Sequence, residues 1–138
     1  NWRSALVKGE MLAQIAADSN TTLLIWALAI MSYEACPYSS SQAVYFSVAY
    51  KDSITQTFLL GEYLSAGDPP VSMQRTVSGK MNKDLTFELK VYQESDEDMD
   101  LPEIEVSREH YEFAIKDGKV SLVKEKKELP VKVKRKVS

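Results

Sequence analysis

Hydrophobic positions along the chain change period once, near residue 20. Between Trp2 and Ala17, the residues Ala5, Leu6, Leu12, Ala13, Ile15, Ala16 and Ala17 cover most of a helical wheel, and Glu10, Gln14 and Asp18 cluster on the remainder. That spacing predicts a helix with a wide apolar face, buried by neighbours on several sides. The "DSN" at 18–20 ends it. Downstream, β-branched and aromatic residues take over, and turn signals recur at intervals of roughly 8 to 12 residues, as in sandwiches and barrels.

The second part reads as strands. Thr21 to Tyr33 is almost wholly apolar and predicts a central strand or two, followed by a loop, "EACPYSSSQ". Ala43 to Tyr50 alternates aromatic and small residues, "YKDS" turns, and Thr55 to Tyr63 follows. The stretch "SAGDPP" is a stop, because two prolines cannot donate to a ladder and the glycine supplies a positive φ. Ser72 to Val77 and Leu85 to Gln93 flank "SGKMNKD"; in the second, Leu85, Phe87, Leu89 and Val91 face one way and Thr86, Glu88 and Lys90 the other. Glu103 to Val106, Tyr111 to Ile115, Lys119 to Val123 and Val131 to Val137 complete the set. Asp117-Gly118 joins two of them as a hairpin that sets Tyr111, Phe113 and Ile115 on one side, with Val120 and Leu122 as their partners. The expected fold class is mainly β (α+β): one buried helix over 1–20, the end of a preceding domain, and an antiparallel β-sandwich over 21–138. No internal repeat emerges.

Composition narrows the function classes. With 138 residues, 44% of them hydrophobic and 27% charged, the chain fits one ordinary domain with a sizeable core. A net charge of −3 provides no basic field for nucleic acid. The longest apolar run, Leu23 to Met31, is nine residues, half of what a membrane span needs, and it reads as a buried element. A single cysteine, Cys36, cannot close an intramolecular disulfide, so the fold does not depend on an oxidising compartment; that alone does not prove a cytosolic one, and a cytoplasmic setting is the expectation. The chain opens without an initiator methionine, which suggests a mature product or an excised piece of something longer.

Catalytic constellations are sparse. The lone histidine, His110, lies between Glu109 and Tyr111 with no nucleophile to serve, and reads as exposed or satisfied. Cys36, beside Pro37, reads as a small buried thiol. No glycine-rich phosphate loop occurs, so no enzyme is expected. In "ESDEDMD", Glu94 to Asp100, the alternate aspartates mimic a calcium loop, but Leu101 and Pro102 stand where the glycine must follow. A solvated acidic loop is the reading. "PVKVKRKVS" alternates valine with lysine and predicts a final strand with a basic outer face.

The order of these pieces resembles the heat-shock seventy, or DnaK-type, chaperones. "ALVKGEMLAQIAA" is similar to the helix that closes the ATPase domain of that family, and "ALAIMSY" to the strand at the entrance of its β-sandwich, although Glu34 replaces the family's glycine. "LSAGDPPVSMQRTV", "LTFELKVYQES", the Asp117-Gly118 hairpin and "EKKELPVKVKRKV" follow in the family's order, with an abbreviated stretch between Asp100 and Glu109. The resemblance implies a non-catalytic fragment that recognises unfolded or extended apolar polypeptide, with no cofactor of its own because the ATP site lies upstream. It places Val77, Phe87 and Leu89 on the pocket floor, Tyr38 on the loop at its mouth, and Lys80 where the family has a small residue arching over the peptide. Phe87 and Leu89 taken singly also read as plain sandwich core. The rival reading is an acidic α+β interaction domain that binds one specific partner protein, supported by the acidic 94–105 stretch opposite a basic C-terminal strand.

Overall fold

A computed structural model describes residues 5–32, 38–68, 71–98 and 100–135. They form nine antiparallel strands: β1 (Ala5–Ala16), β2 (Thr21–Ser32), β3 (Tyr38–Tyr50), β4 (Ser53–Asp68), β5 (Val71–Met81), β6 (Thr86–Asp96), β7 (Glu103–Lys116), β8 (Lys119–Lys127) and β9 (Val131–Lys134). The mainly β, antiparallel expectation holds. The N-terminal helix does not: no helix occurs among the described residues, and Ala5–Ala16 is a strand. Its alanines, leucines and glutamate are good helix formers, but β2 is an apolar strand whose free edge needs a ladder partner. The "DSN" stop serves a hairpin as well as a helix end. The Asn20 amide donates to Asp18 Oδ1 at 2.8 Å, and the Ala17 amide to the Thr21 carbonyl at 2.9 Å.

Strands β1 to β8 follow one another across a single sheet as a meander, each paired with the next. The exception is β9, which returns to β7. The outer edge of β7 is thereby divided end to end, Glu109–Lys116 pairing with β8 and Glu103–Val106 with β9. Two stretches read as separate, Glu103 to Val106 and Tyr111 to Ile115, are one strand, because Ser107 to His110 continue the ladder opposite Lys90 to Gln93.

Between β4 and β5 the sheet opens. Only Glu62–Asp68 pairs with Val71–Val77, while β4 carries on alone with β3 down to Ser53. A bulge at Leu60 bends β4 there, since Val44 pairs with Gly61 and Tyr45 with Leu59. The core fills the divergence: Leu23, Phe46, Val48 and Phe87 are wholly excluded from solvent, and Ile115 nearly so. Phe46 stacks on Phe58 with ring centroids 5.4 Å apart, meets the edge of Phe87 at 4.8 Å, and Phe87 stacks on Phe113 at 4.7 Å. One chain of rings thus joins β3 and β4 to β6 and β7. Backbone approach is close here. A Cβ on Gly79 would lie 1.8 Å from the Leu60 carbonyl oxygen, so only glycine fits.

Two turns hold the halves together from the other end. Lys51 and Asp52 take φ of 48° and 68°, and Asp117 and Gly118 take 53° and 72°, the left-handed pairs that suit two-residue hairpins. The ring of Tyr50 covers Gly118. Thr55 Oγ1 donates to the Gly118 carbonyl at 3.5 Å, and the Val120 amide donates to Gln56 Oε1 at 3.1 Å.

Candidate functional site

An open sheet has two outer edges, and a strand edge is a row of unpaired amides and carbonyls. In this protein the two edges are built differently. β8 carries five charged residues in nine, Lys119, Lys124, Glu125, Lys126 and Lys127, and β9 carries Lys132 and Lys134 in four. Lysines on an edge discourage another strand from adding to it. β1 carries two charges in twelve, Lys8 and Glu10. Among the described residues it pairs with β2 alone.

The side chains around that edge are apolar and wet. Met11 is 54% exposed and Leu12 51%, with Ile15 beside them and Ile30 and Met31 on β2, so apolar surface flanks the free backbone. A bulge at Leu12, between the pairs Met11–Trp26 and Ala13–Ile25, divides the edge into Ala5–Met11 and Ala13–Ala16. Behind it Trp26 is fixed: its ring stacks on Tyr45 at 4.7 Å, and its indole N–H donates to Ser47 Oγ at 3.0 Å. Ser47 in turn shares a 2.9 Å hydrogen bond with Thr57. The arrangement offers main-chain hydrogen bonds to an extended segment and apolar contact to its side chains.

The residues expected to form a peptide pocket are not brought together as one. Phe87 lies in the aromatic core without exposed surface, and Val77 is buried on β5 between Glu62 and Val91 in the register. Leu89 packs half-buried against the same core. Lys80 is exposed on β5, opposite Glu88. Tyr38 opens β3 opposite Gly67, eight positions from Phe46, or roughly 26 Å along a strand at about 3.3 Å per residue. Cys36 falls outside the described residues. Sequence reasoning missed the β1 edge because it took the segment for a helix. The lysines guarding the far edge were legible, and so was the want of charge in "MLAQIAA".

The acidic stretch is engaged from within the chain. Arg135 forks onto Asp96, with Nη2 donating to Oδ1 at 3.0 Å and Nη1 to Oδ2, and it also donates to the carbonyls of Asp98 and Leu101. The Arg135 hydrogen bond holds the Asp96 carboxyl below its ordinary range. On β7, the Tyr111 hydroxyl donates to Glu109, which pushes the phenol up to about 12. No helix among the described residues is long and apolar enough to cross a membrane.

Compared with protein-family models, with curated proteins and with solved structures, the chain matches none.

Proposed function

We propose that this chain is a non-catalytic binding module that takes up an extended, apolar polypeptide segment as an added strand along β1. The observation that carries the reading is the contrast between the edges: β8 and β9 are studded with lysine, whereas β1 presents a twelve-residue edge with two charges and exposed Met11, Leu12 and Ile15. Strand addition draws affinity from main-chain hydrogen bonds and selectivity from alternate side chains. The bulge at Leu12 limits a guest in continuous register to the longer stretch, the seven residues Ala5–Met11. Apolar side chains at alternate positions of the guest would cover Met11 and its neighbours.

The substrate class is the one that the heat-shock seventy resemblance implies, and the sandwich-like curl of the sheet around its ring core is in keeping with it. The surface differs. Phe87, Val77 and Leu89 hold the fold, and the peptide lies on the outermost strand. The rival reading, one specific protein engaging the acidic 94–105 stretch, has less to work with, because Arg135 and β9 already occupy that stretch.

Fluorescence anisotropy of a labelled leucine-rich extended peptide tests the proposal. Saturable binding should weaken about tenfold or more, the equivalent of about 1.4 kcal/mol, in Leu12→Lys, which places a charge at the edge and leaves the core untouched. Equal binding by the wild type and Leu12→Lys would refute the site. Absence of peptide binding, with a self-association that Leu12→Lys abolishes, would put a second copy of the chain on the edge in the peptide's place.

A further inference from the structure

Away from the β1 edge, three titratable side chains meet on the β6–β7 hairpin. The register sets Glu88 directly opposite Glu112, and His110, two residues before Glu112, projects from the same face. A carboxylate oxygen from each glutamate and a ring nitrogen of His110 all lie within 4.8 Å of one another, and all three residues are half-buried. Like charges directly opposed across two strands destabilise a sheet. Among the described residues neither carboxylate is in an ion pair. The Nε2 atom of His110 is shut off from solvent and has no hydrogen-bond partner among the described residues. A facing pair of acids and an unanswered imidazole nitrogen are two separate deficits that one cation relieves.

We propose that Glu88, His110 and Glu112 form a three-ligand site for a divalent transition-metal ion of the zinc or cobalt type. Ligand atoms on a tetrahedral ion at about 2.0–2.2 Å stand about 3.4 Å apart. The atoms present, separated by no more than 4.8 Å, close on that geometry by side-chain rotation. The ligand set chooses the ion. Calcium takes six to eight oxygens and magnesium keeps its waters, whereas one imidazole with two carboxylates suits zinc and its neighbours. The surroundings sharpen that choice. Lys80 stands opposite Glu88, Lys124 opposite Glu112, and Lys90 and Lys126 flank His110, all of them exposed. Such a ring of ammonium groups opposes capture of a cation by charge alone, so affinity rests on the metal–nitrogen bond. His110 also lines a neighbouring cleft of about 400 Å³ together with Lys90, Arg108 and Lys126. The bound ion ties β6 to β7 beside the ring core.

Cobalt(II) titration of the full chain, followed in the visible region, tests this site. Saturable one-to-one binding is expected, displaced by zinc and not by calcium, with a rise in melting temperature. His110→Ala, Glu88→Gln and Glu112→Gln should each weaken it at least tenfold, the lower end of what even outer-shell changes do. In chelator, the two glutamine variants should melt close to the wild-type temperature, because each removes the Glu88–Glu112 repulsion together with an attraction to its facing lysine, and this keeps loss of metal distinct from loss of fold. No saturable cobalt binding to the folded chain would overturn the proposal. So would binding that survives both His110→Ala and Glu112→Gln, or displacement by calcium as readily as by zinc.

Discussion

Phe87→Ala separates a core ring from a pocket floor. Phe87 is fully excluded from solvent and holds two rings in place, Phe46 edge-on at 4.8 Å and Phe113 stacked at 4.7 Å. Burying a phenylalanine side chain contributes about 1.5–3 kcal/mol, and each aromatic pair adds about 0.5–1.5 kcal/mol beyond its area. Two pairs and one side chain together give about 2.5–6 kcal/mol, which brackets the about 3–5 kcal/mol of phenylalanine-to-alanine changes that leave a cavity. A chain of this size has a total stability of about 7–20 kcal/mol, so the variant still folds at room temperature with much of its margin gone. Its melting temperature should fall by about 10–20 °C. Urea unfolding followed by circular dichroism reads the change, with a lower midpoint and an unchanged slope. A loss below about 1 kcal/mol would refute the core assignment, for a ring that can be removed so cheaply is held by surface contacts.

Two further outcomes follow from close approach and charge. Gly79→Ala should destabilise by about 1–3 kcal/mol or more, since the new methyl meets the backbone oxygen of Leu60 at 1.8 Å, whereas Gly61→Ala, whose nearest neighbour is the Val77 carbonyl oxygen at 3.5 Å, should be neutral or slightly stabilising; urea midpoints of the two variants decide it. The Asp96–Arg135 fork contributes fully above the ordinary carboxylate pKa of about 3.9, and its contribution is lost as pH falls through the lowered folded value. The stability gap between the wild type and Arg135→Ala should therefore hold steady from about pH 5 to 8 and shrink toward pH 3; a gap that persists at low pH would assign Arg135 another role.

Strand character was legible wherever alternation and turn chemistry agreed. The Asp117-Gly118 hairpin pairs Ile115 with Val120 and Phe113 with Leu122, as its pattern predicts, and "YKDS" turns at Lys51 and Asp52. Strand ends were less legible. β3 begins at Tyr38, inside a stretch read as a loop, because Ser40 to Gln42 are paired on both sides by β2 and β4 whatever their polarity. The first strand was hidden for a related reason. Local preference at Ala5–Ala16 favours a helix, and only the unsatisfied edge of β2, a fact about another segment, overrides it. Of the candidate site, the sequence shows the residue types but not their placement: Glu88 and Glu112 are 24 positions apart, and nothing local says that the register sets them face to face.

The meander has a consequence for the order of assembly. Each of the first eight strands pairs with its immediate neighbour, so most ladders close over short loops at small entropic cost, and such hairpins form on the microsecond scale. The contacts that join the halves are different in kind. Phe46 reaches Phe87, and Thr55 and Gln56 reach Gly118 and Val120, across separations of 41 to 64 residues. The rate-limiting event in folding is therefore expected to be the docking of two preformed groups of hairpins at the ring core, with the short C-terminal strand closing over β7 once its partner is in place.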